Sequence, residues 1–322
     1  MNQDPNTNPL FDSAHEWIQN FEEGQAGATF AWGKEQIREF KNTSIDTLLR
    51  DPYFLNLDGV MYDSVYNDIC ELWEERKNRE VNTAVFLEAI GSGKSFKASI
   101  LLWLLWFELC MYESPQRHFN LAERSVIAVM LLSRSETQSR RVVFQYAWDR
   151  FQSGFNKDYF PANPRLSREI RIERNRTCVY AGTSSALSAL GYNVYAASID
   201  EADFLEVTED SKKSYDDKYD AGIEMYNAVM NRMSSRFMIH GVIPGIIIIM
   251  TSPATPDAFA ETKIKEIISL GPEISKGFWR RRSLWEAKGK KFFNLNSWFE
   301  VDLETLDILK EVNNAKRSLL DL

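Results

Sequence analysis

The residues best suited to chemistry lie in "LEAIGSGKSFKAS", positions 87–99. Gly91-Ser92-Gly93-Lys94-Ser95 matches the end of the phosphate-loop pattern G-x-x-x-x-G-K-[ST]. Six residues before Lys94, where the first glycine of that pattern belongs, stands Glu88. Successive N–H groups from Ala89, Ile90, Gly91, Ser92 and Gly93 would form an anion-binding concavity, and the helix that follows adds the positive end of its dipole. Gly91 and Gly93 let the backbone approach a phosphate without a Cβ in the way. Lys94 would neutralise the β- and γ-phosphates of ATP, and Ser95 Oγ would ligate Mg²⁺. A chance Gly-x-Gly-Lys-Ser at a strand–helix turn has the same local look, so the loop needs a second piece to support it.

That piece is Ile199-Asp200-Glu201-Ala202-Asp203, an apolar strand that delivers two adjacent acids to its C-terminal end. In phosphate-loop ATPases the first acid holds Mg²⁺, and a second one beside it can polarise water for attack on the γ-phosphate. By itself the segment could be a strand running out into a solvated acidic loop. With the loop it means more, because both end strands and they stand in the required order, about a hundred residues apart. Glu201 directly after Asp200 points to hydrolysis by water, since a small-molecule kinase needs no such residue. Thr251-Ser252-Pro253, after "GIIIIM", could contact the γ-phosphate or report its loss; a strand followed by a proline turn explains it equally well.

These pieces require a scaffold, and the chain supplies the pattern for one. Val65, Ile69, Leu72 and Trp73 at helical spacing predict a helix over 60–78. "TAVFLEAI" reads as a short buried strand running into the loop, and "KSFKASILLWLLWFELCMY" as a helix apolar nearly all round. "SVIAVMLLS" predicts a buried strand, "ETQSRRVVFQYAWDRF" an amphipathic helix, and "REIRIER" with "TCVYAG" a hairpin. "NVYAASIDEADFLE", the helix "DAGIEMYNAVMNRMSSRF" and the strand of "GVIPGIIIIMTSP" follow. Continuous apolar strands alternating with helices predict an α/β fold, a mostly parallel sheet covered on both faces. We expect an N-terminal extension at 1–50, an ATPase core at 51–270, and a basic linker or small subdomain at 271–322 with a helical C-terminal look.

Composition narrows the partners. The formal net charge of the 322 residues is −8, so nucleic acid would have to meet a local basic patch. One such patch is Lys276, Arg280, Arg281, Arg282, Lys288, Lys290 and Lys291, interleaved with Phe278, Trp279 and Trp285; another is Arg165, Arg168, Arg171, Arg174 and Arg176. Solvated surface faces of this kind are the commoner explanation. Three scattered cysteines and three scattered histidines predict no zinc site and a reducing compartment. The polar N-terminus lacks the order of a signal peptide, and the apolar run Ala98–Met111 is interrupted by Glu108 and too short to span a bilayer. A cytoplasmic protein with no membrane partner is expected. If the ATPase works as a ring, an arginine finger should exist, with Arg232, Arg236, Arg140 and Arg141 as candidates.

Taken in order, "LEAIGSGKS", "SALGYNVYAASIDEADFLE", "NRMSSRF", "IIIIMTSP" and "RRRSLWEAK" resemble the ATPase domain of bacteriophage large terminase subunits, the motors that package DNA into procapsids. The resemblance covers roughly residues 50–290. It implies an ASCE-type (RecA-like) P-loop NTPase fold and a deviant phosphate loop, because terminases often lack the first glycine. It assigns Lys94 and Ser95 to the phosphate loop, Asp200 to the metal, Glu201 to the catalytic base, and Thr251 and Ser252 to coupling. As partners it implies double-stranded DNA, a portal protein and a small terminase subunit. It also implies a homo-oligomeric ring when assembled, a monomer in isolation, and a place in the cytoplasm of the infected bacterial host. Two departures stand out. Many terminases carry an arginine in the loop where this chain has Ala89 and Ile90, which leaves a finger to a neighbouring subunit. Too few residues follow Lys291 for the usual nuclease domain, so no nuclease activity is expected. The alternatives are a superfamily 2 helicase, since residues 200–203 spell Asp-Glu-Ala-Asp, and a structural protein that binds nucleotide without hydrolysing it.

Overall fold

The computed structural model describes residues 40–133, 144–163, 169–183, 192–205, 207–208, 219–289, 298–301 and 308–312. In chain order these form α1 (Ile45–Arg50), α2 (Asp63–Arg79), β1 (Thr83–Glu88), α3 (Lys94–Cys110), α4 (Pro115–His118) and β2 (Ile127–Ser133). Then come α5 (Phe144–Arg150), α6 (Gly154–Tyr159), β3 (Glu169–Ile172), β4 (Thr177–Thr183), β5 (Asn193–Asp200), β6 (Val207–Thr208) and β7 (Tyr219–Asp220). The chain continues with α7 (Ala221–Phe237), β8 (Ile247–Thr251), α8 (Phe259–Leu270), α9 (Pro272–Ser275), β9 (Gly277–Arg282), α10 (Leu284–Lys288), β10 (Trp298–Val301) and β11 (Ile308–Val312). Among the described residues no helix is long and apolar enough to cross a membrane.

Seven strands form one sheet in the order β3-β4-β2-β5-β8-β1-β9. Every neighbouring pair is parallel except β3–β4, the antiparallel hairpin at one edge. Both faces are covered, which is why the central strands are apolar at consecutive positions. In β1, Ala84 and Phe86 face the core that contains α3 and α2, while Val85 and Leu87 face the one that contains α7 and α8. α3 lies against the sheet with every residue from Lys97 to Phe107 buried. Burial of each large apolar side chain there contributes about 1.5–3 kcal/mol. Its two tryptophans keep their indole N–H groups satisfied, Trp103 on Asn156 Oδ1 and Trp106 on Thr177 Oγ1, both at 2.8 Å. On the other face α7 starts at Asp220, whose carboxylate accepts the N–H groups of Gly222 and Ile223.

Two sequence expectations shift. The basic stretch after residue 276 does not leave the sheet, because Gly277–Arg282 is β9, paired in parallel with β1 from Thr83↔Gly277 to Glu88↔Arg282. Its arginines follow Phe278 and Trp279 directly, so composition alone suggested a linker where pairing makes a strand. The C-terminal segment is not helical at 308–312: β11 pairs antiparallel with β10. Helical spacing in that segment is outweighed by a non-local ladder with the β-prone Trp298-Phe299-Glu300-Val301, which periodicity cannot register.

Candidate functional site

Three parallel neighbours, β5, β8 and β1, end on the same edge of the sheet, with β8 in the middle. The loop after β1 runs directly into α3. Gly91 and Gly93 take φ of +83° and +94°, values that favour glycine, and Gly93 is the residue that caps α3. The register Leu87↔Thr251 and Asp200↔Met250 brings the end of β8 between the loop and the acidic pair.

Lys94 Nζ donates to the carbonyls of Glu88 (2.8 Å) and Ala89 (2.9 Å) and to Ser252 Oγ (2.9 Å). Burial pushes its pKa down, against the pull of the nearby Glu88, Asp200 and Glu201 carboxylates. Across β8, the Ser95 side chain lies near enough to the Asp200 carboxylate to lower its pKa. The phosphate loop and the acidic strand end therefore meet at one place. Asp200 also accepts the N–H of Glu201 at 3.1 Å. Its pKa is pushed up to about 6, first by burial and then by the Glu201 charge, against the Ser95 and Lys94 contributions.

Ser95 and Asp200 make a hard-oxygen pair that suits Mg²⁺, which typically takes one or two carboxylates and completes its shell with water and substrate phosphates. The raised pKa of Asp200 fits the same reading, since a buried carboxylate short of positive charge is the environment a divalent ion would complete. The raised value also has a consequence for stability. The folded chain keeps the Asp200 proton between roughly pH 4 and 6, where the unfolded chain (3.8) has lost it. Ligand-free stability is accordingly lost as pH rises through that window. Asp200→Asn should thus melt at a higher temperature than wild type at pH 8, with the gap closing near pH 4. Equal melting at pH 8 would refute the claim that this carboxylate is penalised.

Glu201 adopts φ 55°, ψ 39°, a left-handed conformation that costs a non-glycine residue about 1–2 kcal/mol. The turn starts a short 3₁₀ segment, Ala202–Phe204, and Asp203 locks it in place. The Asp203 N–H donates to Thr251 Oγ1 at 3.2 Å, and its carboxylate accepts the Ala260 N–H at the start of α8 at 2.7 Å. Thr251 and Ser252 thus differ in role: the buried Thr251 tethers the acidic turn, and Ser252 touches Lys94.

Sequence reasoning passed over what Glu88 does. Its side chain is 1% exposed beneath the loop, where it accepts Ser92 Oγ (2.9 Å) and Lys97 Nζ (2.5 Å). Lys97 also bonds Asp68 at 2.6 Å, and Asp68 takes two bonds from Arg282 at 2.5 and 3.2 Å. Although burial pushes the Asp68 pKa up, the Arg282 bonds and the Lys97 charge hold it below the usual carboxylate range. The residue standing where a glycine belongs is thus the upper end of a buried ionic chain from loop to β9. The sequence did carry a signal: Asp68 falls in the apolar stripe of Val65, Ile69 and Leu72, and Lys97 on a helix otherwise apolar at its core.

The basic runs are largely engaged within the chain. Arg282 serves Asp68, Arg281 pairs with Glu261, Arg280 with Glu71, and Lys276 with Glu80 at 3.1 Å. In the second run Arg171 pairs with Glu169 and Glu173, while Arg174 and Arg176 donate to the carbonyls of Tyr159 and Glu123. Arg165, Arg168, Lys290 and Lys291 lie outside the described residues. Among the finger candidates, Arg140 and Arg141 lie outside them too. Arg232 and Arg236 sit late in α7, whose terminal Phe237 packs on Phe119 and on Tyr195 near the start of β5. That is the opposite edge of the sheet from Asp200, so neither reaches the site of its own chain.

The family described as "Uncharacterized protein MJ0330, N-terminal P-loop domain" matches residues 54–300. The chain belongs to this P-loop family. No curated protein matches the sequence. Among solved structures, the HK97 bacteriophage large terminase aligns with a TM-score of 0.51 and 12% identity, over 75% of this chain and 43% of that one. The large terminase of a thermophilic bacteriophage aligns with a TM-score of 0.46 and 10% identity, over 71% of this chain and 47% of that one. The Thermus phage P74-26 large terminase ATPase domain aligns at 0.42 and 12%, over 64% and 77%. At these identities the likeness is one of fold, and the chain spans less than half the length of the first two proteins. The MJ0330-type P-loop domain here is an α/β NTPase fold with a mostly parallel seven-stranded sheet.

Proposed function

We propose that this P-loop domain hydrolyses ATP to drive double-stranded DNA, as the ATPase of a large-terminase-type packaging motor. The observation that carries the reading is the meeting of phosphate loop and acidic strand across β8, where Lys94 donates to Ser252 at 2.9 Å and Ser95 lies beside the Asp200 carboxylate. The loop amides from Ala89 to Gly93 would bind the phosphates, and Lys94 would leave Ser252 and the loop carbonyls to neutralise them. Ser95 and Asp200 would hold Mg²⁺, which when bound screens the phosphate charge. Glu201 would orient the attacking water and accept its proton. Ser252, released when Lys94 turns to the phosphate, would carry the change into β8, and Thr251 would carry it to Asp203 and α8.

As a motor, the protein would work as a ring on a portal protein, with a small terminase subunit, in the cytoplasm of an infected bacterium. A finger would come from a neighbouring copy. Arg232 and Arg236 lie on a face that could serve this across an interface. The second reading is a protein that binds nucleotide without turning it over; the Glu201 carboxylate beside Asp200 favours hydrolysis.

The test is Mg²⁺-dependent phosphate release by the chain, with and without double-stranded DNA. DNA-stimulated release is expected. Lys94→Ala should weaken ATP binding by about tenfold or more, as expected for a lost phosphate-bound ammonium. Tight ATP binding without release under either condition would favour the second reading, and unwinding of a duplex would favour a helicase.

A further inference from the structure

α10 closes over the phosphate loop from the side opposite the acids. It is held there by Ser64 Oγ donating to the Ala287 carbonyl at 2.6 Å, by the Ser283–Glu286 capping box, and by the Ala89 N–H donating to the Arg282 carbonyl at 3.0 Å. A Cβ placed on Gly91 would lie 3.6 Å from Leu284 Cδ1 and 3.9 Å from Lys288 Nζ. An ammonium therefore stands beside the middle of the anion-binding loop, brought by a segment almost two hundred residues further along the chain. The neighbouring arginines of β9 are spent on Asp68, Glu71 and Glu261. Among the described residues Lys288 pairs with no carboxylate, and it is half-buried. A cation that no described carboxylate pairs with, beside a nest of amide donors, is placed for an anionic ligand.

We infer that Lys288 is a second phosphate-binding cation of this site, acting from the C-terminal side of the loop on a bound nucleoside triphosphate. The inference rests on the proposed nucleotide site and adds a residue to it. It also supplies, within the chain, positive charge at a loop that has Ala89 and Ile90 at its variable positions. Because α10 follows β9 directly, the ionic chain from Glu88 through Lys97 and Asp68 to Arg282 fixes the strand that delivers Lys288.

The test uses the full chain and fluorescent ATP, ADP and adenosine with Mg²⁺. Lys288→Met keeps the apolar stem and removes the charge, and Lys288→Arg keeps the charge. Lys288→Met is expected to weaken ATP about tenfold, ADP less and adenosine not at all, with a gap from wild type that narrows as salt rises. Lys288→Arg should recover most of the ATP affinity, and both variants should melt with wild type. ATP affinity at the wild-type level in Lys288→Met, alongside loss in Lys94→Ala, would overturn this inference alone. Equal losses for ATP and adenosine would overturn it as well, because they would mark a packing role. Absence of nucleotide binding by the wild type would overturn the proposed site and this inference with it.

Discussion

Glu201→Gln is expected to keep ATP affinity and to lower Mg²⁺-dependent phosphate release by about two to four orders of magnitude, the range for losing a positioned general base. Asp200 accepts the Glu201 N–H and lies beside Ser95, so in the proposed site it would serve the metal and leave the proton of the attacking water to its neighbour. Glu201 is the neighbouring carboxylate, and among the described residues its side chain accepts no hydrogen bond. Its left-handed backbone is kept in place by Asp203 through Thr251 and Ala260, and local strain of this kind persists only where surrounding bonds over-determine it. The amide of the variant is isosteric and cannot accept the proton, so turnover should fail while binding stays. Single-turnover phosphate release and equilibrium nucleotide binding separate the two. Release at the wild-type rate would remove Glu201 from its role, and loss of binding would mean that the residue supports the site structurally.

Lys97→Met should produce the largest loss of stability, about 3–5 kcal/mol, the cost of stripping one partner from a buried ion pair. Lys97, Glu88 and Asp68 are each 1% exposed or less, and the single ammonium serves both carboxylates. Removing it leaves Glu88, among the described residues, with the Ser92 hydroxyl and Asp68 with the β9 arginines. Against a total stability on the order of 5–15 kcal/mol this is a large fraction. The expected readout is a melting temperature lower by on the order of 10 °C at pH 8. Adding Glu88→Gln to Lys97→Met should recover part of the loss. A Lys97→Met protein that melts with wild type at pH 8 would show that the buried network carries no net stability.

The reason Glu88 is tolerated in the loop follows from the same contacts. Its side chain points under the loop and fixes Ser92 from below, away from the concavity that the amides form. Read along the chain, position 88 is only a mismatch to a glycine pattern. Its partner Lys97 lies in the helix of the same βα unit, but Asp68 precedes it and Arg282 comes from the far end of the domain. A pattern confined to 87–99 has no means of including those two. The basic run at 276–282 shows the complementary limit. Its charge is plain in the sequence, yet whether it faces a nucleic acid or a row of carboxylates depends on which elements stand opposite. Here Asp68, Glu71 and Glu261 do.

What the chain's own spacing determined was the set of features made by residues a few positions apart. These are the glycines and lysine of the loop, the acids at the end of an apolar strand, the buried character of α3, and the alternation that demands a parallel sheet. Such features depend on backbone dihedrals and on side-chain period, and both are local. Tertiary structure alone decided that β8 enters between β5 and β1, so that Ser252 reaches Lys94 while Ser95 reaches Asp200. It decided too that β9 joins the sheet, that the late arginines of α7 lie at the far edge, and that Lys288 arrives beside Gly91. Strand order and charge pairing arise from contacts between distant segments, where many arrangements satisfy the same apolar pattern and the packed core selects among them.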